Sequence, residues 1–489
     1  MRILTLNPPF LPKFSRTSRS PAVTKGGTIY YPIWLAYATG VLETEGFDVK
    51  LIDAPARGYD LSEILKLTQR FSPDIAVIDT STPSIYNDVK IAEAVKDTTD
   101  SFVILVGTHV SALPNETLKM NKKIDAVASH EYDYTILEVA KNLESGKNLS
   151  RVKGITYRKN KKIIQNPNRP FIDDLNKIPF ISSVYKRHLE IEDYFYAANL
   201  HPVITILSGR GCIFRCSFCV WPQVFSGHRY RFRNVENIVD ELEYIKNEFP
   251  NVKEVFFEDD TLTVNKKRCQ ELSKKIIKRK LDITWSCNSR ADVDIRTLKW
   301  MKKADCRLLC VGYESGNQEI LNKIHKGTTI NKIKEFAKNA KKAEIMVHGC
   351  FILGLPHDTN GTIKQTIEFA KELDPDSAQF YPVMVYPGTE AYEWAKKNGF
   401  LVTEDYSKWL TPEGWHNCMI SRPGLTSEEL FKFCDKARVE FYLRPKYFLK
   451  RFNLILKNWN ETKRTFKSGK TFFMYLSKLL TGSYERRST

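Results

Sequence analysis

No run of eighteen apolar residues occurs in this sequence, and at its start, MRILTLNPPF, a short apolar stretch gives way to Pro8 and Pro9 where an export signal would carry its hydrophobic core. A membrane-crossing helix is therefore not expected, and the protein is expected in the cytoplasm. There is no internal repeat and no long low-complexity segment, which excludes solenoids and largely disordered chains. Ten cysteines are too dispersed for a disulfide framework. One group is the exception: Cys212, Cys216 and Cys219 lie within eight residues, and the next cysteine, Cys269, is fifty residues further on.

What is present is enough for two or three domains: 489 residues, 42% of them hydrophobic. The net charge is +18, and residues 441–489 hold twelve Lys or Arg against Glu461 and Glu485, so more than half of the excess lies in the tail. There Phe448, Phe452, Ile455, Leu456 and Trp459, then Phe472, Phe473, Leu476, Leu479 and Leu480, recur at helical spacing, which describes basic amphipathic helices. Such helices cap a neighbouring domain or lie on an anionic membrane surface. Without a recognisable RNA-binding module, nucleic acid is the least favoured partner.

The pattern along the chain is α/β. Strands are expected at Ile3 to Leu6, Val49 to Ile52, Ile75 to Asp79, Val103 to Val106 and Ala126 to Ala128, with helices between them, which makes residues 1–145 a doubly wound, Rossmann-like sheet. Ligands of such sheets bind beyond the strands' carboxyl ends, here Asn7-Pro8, Asp53-Ala54, Thr80-Ser81-Thr82, Gly107-Thr108-His109 and Ser129-His130-Glu131. Residues 146–195, with the basic, hairpin-like GITYRKNKKIIQNPN, read as a linker. Residues 196–420 hold a second βα series with strands at Val203 to Leu207, Glu254 to Phe257, Ile283 to Ser286, Leu308 to Gly312, Met346 to Leu353 and Ser377 to Pro382, a partial (β/α)6 barrel with its chemistry at the carboxyl ends. Residues 421–489 are a basic helical region.

The cysteine group, SGRGCIFRCSFCVWP, directly follows the first strand of that second series. Thiolates are the soft ligands of iron-sulfur clusters, and a short loop wraps three of them around three corners of a cubane. A 4Fe-4S cluster needs four ligands, so one iron stays open to an exogenous ligand. Zinc bound by the three cysteines and His228, or a redox pair at Cys216 and Cys219, are the alternatives. The remaining cysteines, Cys269, Cys287, Cys306, Cys310, Cys350, Cys418 and Cys434, read as buried fillers.

The three-then-two spacing, with the aromatic Phe218 before the last cysteine, resembles the motif of the radical S-adenosylmethionine (SAM) superfamily. The resemblance implies that SAM chelates the open iron and is cleaved by one electron to a 5′-deoxyadenosyl radical. Its companions follow in order. FFEDDTLT carries Glu258, Asp259 and Asp260, acidic residues of which the resemblance places Asp259 and Asp260 foremost at the SAM amino group; Asn288 and Arg290 follow in WSCNSRAD, the guanidinium suited to the SAM carboxylate. VGYESG supplies Glu314 and Ser315 for the ribose, and GCFILGLP supplies Leu353 and Gly354 beside adenine.

Residues 1–145 in turn resemble the cobalamin-binding domain that precedes the barrel in one class of these enzymes, through LNPPF, GVLETEGFDVKLIDA and VGTHVSALPNETL. The implied cobalamin contacts are Asn7, Pro8, Thr80, Ser81, Thr82, Gly107, Thr108, His109 and Glu131. Two departures stand out. There is no Asp-x-His-x-x-Gly motif, so the lower face of cobalt falls to Thr80, Ser84, Tyr86 or water, and His130 stands where relatives have glycine. A domain that keeps the fold without the cofactor stays open as an alternative.

Similarity over Tyr31 to Trp34, RYRFRNVENIVDEL and FYLRPKYFLKRF is greatest to hopanoid-biosynthesis and lipid-modifying radical SAM proteins. The resemblance implies modification of an unactivated carbon on a small-molecule or lipid substrate, by cobalamin-dependent methyl transfer or by carbon-carbon bond formation or cyclisation. The resemblance also implies an electron donor such as ferredoxin or flavodoxin. A non-enzymatic iron-sulfur or cobalamin sensor is the alternative from another class.

Overall fold

The computed structural model describes residues 1–457 together with Gly469 and Ser477. The first sheet contains β1 (Arg2–Asn7), β2 (Asp48–Asp53), β3 (Ile75–Thr80), β4 (Phe102–Gly107), β5 (Ala126–Ala128), β6 (Ile155–Lys159) and β7 (Lys162–Gln165), in the order β2-β1-β3-β4-β5-β6-β7. β1 to β5 are parallel, and helices cover both faces. That is why β3, IAVIDT, is buried along its whole length and reads as one apolar run. Strand order reverses between β1 and β3, so the crevice for a ligand opens at their carboxyl ends.

The segment expected to be a linker is largely part of this sheet. β6 pairs antiparallel with β5, β7 folds back on β6, and the helix Ile181–His188 packs against the helix Ile33–Thr44. Its polar composition concealed this because an edge hairpin covered on one side needs few apolar residues.

The second sheet follows β8 (Val203–Ile206) and a two-residue ribbon, β9 (Gly209–Arg210) with β10 (Arg231–Phe232), and continues with β11 (Glu254–Phe257), β12 (Trp285–Ser289), β13 (Cys306–Glu314), β14 (Met346–Leu353) and β15 (Ser377–Pro382). Six parallel strands in the order β15-β14-β13-β12-β11-β8 form the partial barrel, with no pairing between β8 and β15 to close it. Burial alternates along β14 and β15: Val347, Gly349, Ala378 and Phe380 are buried beneath helices, whereas His348, Cys350, Ser377, Gln379 and Tyr381 face an open lumen.

The helix Ser427–Tyr442, capped by the reciprocal pair Thr426 and Glu429, seals the outer face of β15 with Phe441 against Phe380. The helix Pro445–Lys457 follows, with Phe448 and Phe452 exposed. Of the other apolar positions expected in the tail, Ile455 and Leu456 lie on this helix, and Trp459, Phe472, Phe473, Leu476, Leu479 and Leu480 lie outside the described residues.

Candidate functional site

The cysteine loop is shaped by glycine and pinned by backbone bonds. Gly211 has φ +88°, and a Cβ there would meet the Arg229 carbonyl oxygen at 2.3 Å, so no other residue fits the turn. Cys212 N donates to Gly227 O and Ser217 N to Ile324 O, while the Gln223 amide donates to the carbonyls of Cys216, Ser217 and Cys219 at 3.0–3.2 Å. Burial, then the Asp260 carboxylate, pushes the Cys212 thiol up to about 11; burial and Cys216 push Cys219 well above the usual thiol range. A bound cation deprotonates such thiols outright. His228 Nδ1 faces Phe214 O at 3.1 Å. In a cubane each thiolate binds a different iron, so the three cysteines need not converge on one ion.

Around the loop, the strand ends bring together some of the expected SAM residues and divert others. Asp260 bears on both Cys212 and Cys219, and Arg290, whose guanidinium lies 3.5 Å above the Phe214 ring, bears on Cys212. Asp259 is diverted: it is fully buried, and its two oxygens accept from Ser208 N, Ser208 Oγ and Tyr230 Oη at 2.7–2.8 Å, so it ties β8 to β11 and does not face the loop. Asn288 donates to Asp259 O at 3.1 Å. Glu314, in the left-handed region at φ +65°, pairs with Lys326 at 2.7 Å. Ser315 bonds Thr366, Phe218 is half-buried against the core, Leu353 is buried, and Gly354 abuts Leu430 of the helix Ser427–Tyr442. Cys310 and Cys350 stand half-buried on the lumen face, whereas the other five cysteines outside the loop are buried as expected.

A long loop after β1 reaches across from the first domain. Its Arg19 donates to Glu258 Oε1 at 2.6 Å and to the carbonyls of Glu258 and Asp259, and Ser20 bonds Tyr386 and His416. Sequence reasoning missed Arg19, because nothing in SRTSRS indicates which arginine reaches the barrel.

At the strand ends of the first sheet, a cleft is lined by Arg16, Trp34, Asp79, Thr80, Gly107, Thr108, Tyr132, Trp221 and Phe225. Of the expected cobalamin contacts it gathers Thr80, Gly107 and Thr108. The others are engaged elsewhere: Asn7 with Asp53 and Arg16, the Pro8 carbonyl with Arg16, Ser81 with Ser84, Thr82 with His109, and Glu131 with Arg231. Tyr86 is exposed and Ser84 bonds Asp88, so of the groups expected below cobalt only Thr80 lines the cleft. Gly107 has φ +114°, and a Cβ there would lie 2.3 Å from Thr80 O.

The residues of the cleft nonetheless suit a polar ligand. Asp79 Oδ2, Tyr132 Oη and Trp221 Nε1 line it, buried and without partners, as is the nearby His109 Nε2, and such atoms are costly unless a ligand satisfies them. Burial raises the Asp79 carboxyl to about 7 and lowers His109 to about 3, so the imidazole is neutral. Trp34 stacks on Trp221 at 5.3 Å and packs against Phe225 at 4.7 Å, giving the cleft a flat aromatic wall. Trp221 lies two residues after Cys219, so cleft and cysteine loop are adjoining parts of one site.

The two domains are fastened at this point by the turn after β5. Asp133 accepts both terminal nitrogens of Arg210, Glu131 accepts both of Arg231, and His130 Nδ1 meets Val224 O at 2.7 Å. Arg210 and Arg231 are the two cross-paired residues of the β9–β10 ribbon that bounds the cysteine loop. His130, at φ +61°, occupies the conformation in which relatives were expected to have glycine.

Residues 206–370 match the family model of the radical SAM superfamily, and residues 19–140 match that of the B12 binding domain. The chain belongs to the radical SAM superfamily, in the class whose barrel follows a B12 binding domain, and it is an enzyme. It is 35% identical over 426 residues to an uncharacterized methyltransferase of Pyrococcus horikoshii, across 87% of this chain and 90% of the relative. It is 24% identical to cytidylyl-2-hydroxyethylphosphonate methyltransferase of Streptomyces wedmorensis, across 85% and 86%. Among solved structures, the fold resembles the radical SAM methyltransferase TsrM of Kitasatospora setae with cobalamin and a [4Fe-4S] cluster bound, at a TM-score of 0.69 and 16% identity over 91% of this chain and 89% of that one.

Proposed function

We propose that this protein is a cobalamin-dependent radical SAM methyltransferase acting on an unactivated carbon. The observation that carries the reading is the shared wall: Trp221 lines the cleft at the strand ends of the first sheet and follows Cys219 by two residues. When bound, the cluster would supply the electron for cleavage of SAM to methionine and a 5′-deoxyadenosyl radical, which would take a hydrogen atom from the substrate carbon to leave 5′-deoxyadenosine, and cobalamin would supply the methyl group to that carbon.

The chain's own residues do the rest. Cys212, Cys216 and Cys219 would hold three corners of the cluster. Asp260 and Arg290, both bearing on the thiols, are a carboxylate and a guanidinium suited to the ammonium and carboxylate of SAM. Trp34, Trp221 and Phe225 keep water from the junction, where a carbon radical would otherwise be quenched. An external one-electron donor such as ferredoxin or flavodoxin completes the cycle.

The test is anaerobic reconstitution with iron, sulfide, cobalamin, reductant and methyl-labelled SAM. Iron and cobalamin content together with 5′-deoxyadenosine formation support the reading. Deoxyadenosine formed by protein that takes up no cobalamin removes methyl transfer and leaves the carbon-carbon bond-forming alternative.

A second reading concerns where the enzyme works. Leu443, Phe448, Leu449 and Phe452 are 43–66% exposed at the start of the basic C-terminal region, and no described helix is long and apolar enough to cross a membrane. An apolar strip flanked by cations suits peripheral contact with anionic headgroups. Co-sedimentation with phosphatidylglycerol vesicles, lost in Phe448→Ser/Leu449→Ser/Phe452→Ser, is the expected result.

A further inference from the structure

The barrel lumen beneath the cysteine loop has two levels. Asp260 and Arg290 bear on the thiols and belong to the upper one. Glu258 lies two residues earlier, nearer the end of β11, and its charge bears instead on Tyr30, Tyr196 and Cys310. Tyr381 bears on the same lower group through Cys350 and Tyr30. The amino end of the lumen is closed by buried Glu254, which accepts from Asn199, Leu200 N and Arg307.

What remains accessible between that floor and the cysteine loop is polar. The register places Cys310, His348 and Ser377 in one row and Gly312, Cys350 and Gln379 in the next, with Tyr381 above. Gln379 is exposed in the middle of a strand whose alternate residues are buried, so the lumen opens sideways past β15. Small-molecule pockets are mostly apolar with a few polar groups. Here the proportion is reversed: His348 bonds Ser377 at 2.7 Å and meets Gln379 at 3.4 Å, and a hydrocarbon filling this space would leave the remaining hydrogen-bonding capacity of these groups unmet.

Glu258 adds an orientation. Its Oε1 takes the Arg19 guanidinium at 2.6 Å, whereas its Oε2 is buried and makes no close hydrogen bond, with the Asn288 amide bearing on the carboxylate besides Arg19. Arg19 is itself occupied by Glu258, the backbone carbonyls and Asp260, so the acceptor that remains is the carboxylate oxygen.

We propose that the lower level of the lumen is the substrate subsite, and that the substrate is a polar, water-soluble molecule that presents a hydroxyl or ammonium donor to Glu258 Oε2. The proposal rests on the methyl-transfer reading and narrows it away from lipids.

The reconstituted enzyme is incubated with reductant, SAM bearing a trideuterated methyl group, and a lysate of its native host, which is then partitioned between water and chloroform. The expected result is a trideuteromethyl product in the aqueous phase. Label confined to the chloroform phase overturns the proposal. Label in neither phase while 5′-deoxyadenosine forms overturns the methyl-transfer reading beneath it, a separate failure. Replacement Glu258→Leu, checked for wild-type iron and cobalamin content, is expected to lower the aqueous product by about tenfold or more, as loss of a charged hydrogen-bond acceptor does. Glu258→Gln, which keeps an acceptor oxygen, is expected to lower it less. An undiminished product in Glu258→Leu overturns the assignment of Glu258.

Discussion

Arg210 donates to both carboxylate oxygens of Asp133, at 2.9 and 3.1 Å, and the two side chains are each only 2% exposed. One belongs to the ribbon that opens the cysteine loop and the other to the B12 binding domain, so the position of the loop is set by a domain with no cysteine in it. Breaking a buried pair from one side leaves an uncompensated charge, at a cost of about 3–5 kcal/mol. Arg210→Met should therefore lower the melting temperature and the iron retained on reconstitution. Arg210→Met/Asp133→Leu should recover most of the melting temperature, which differential scanning calorimetry reads directly.

His130 offers a finer test of the same fastening. At φ +61° a glycine is more comfortable than histidine, yet only histidine supplies the bond to Val224 O. His130→Gly exchanges one effect for the other and is expected to change stability by less than about 1 kcal/mol. His130→Ala keeps the strained backbone and loses the bond, and should cost about 1 kcal/mol more than glycine. Denaturant titrations of the two variants decide it; equal stabilities would mean that the backbone conformation carries no strain.

Asp79 predicts a pH dependence. Its carboxyl keeps its proton up to about 7 in the folded protein, because burial outweighs the pull of Arg16. An exposed aspartate releases its proton near about 3.9. Between those values the folded state binds more protons than the unfolded one, so this group's contribution to stability falls as pH rises from about 4 through about 7. In cobalamin-free protein, Asp79→Asn should melt higher than wild type at pH 8, its stability greater by an amount on the order of 4 kcal/mol, and by roughly a third of that at pH 5. A gap of equal size at both pH values would refute the assignment.

The cysteines divide into two kinds with opposite expectations. Replacing Cys212, Cys216 or Cys219 by alanine should reduce reconstituted iron and bring 5′-deoxyadenosine formation to background. Cys310→Ala and Cys350→Ala remove lumen thiols that bind no cluster, and should leave iron and sulfide content at wild-type levels with a stability cost of about 1 kcal/mol. Iron loss in either lumen variant would mean that the cluster has a further ligand.

Much of this was readable in advance, for identifiable reasons. β3, β5, β11, β14 and β15 carry apolar or alternating runs whose period is local, and they begin where the sequence places them. The cysteine loop was equally plain, since ligands within eight residues need no tertiary structure to bring them together. The strand-end residues were harder. Asp259 and Asp260 are adjacent and chemically alike, and only the backbone alternation that turns Asp259 toward Ser208 and Asp260 toward the thiols tells them apart. Glu131 had the right place in the sheet, but Arg231, a hundred residues away, claims it.

The sequence by itself determined the chemistry of initiation: three thiols without a fourth, followed in order by the strand-end motifs, and ahead of them a doubly wound sheet with its glycine turn at Gly107. Tertiary structure alone decided how the two domains share one site. The cleft is assembled from Arg16, Trp34, Asp79, Tyr132 and Trp221, and the lower lumen from Tyr30, Glu258, Cys310 and Tyr381, residues scattered over most of the chain. The physical reason is that ligands on one loop are set by local geometry, whereas a shared wall depends on contacts such as Arg210 with Asp133, whose partners the linear pattern leaves undetermined.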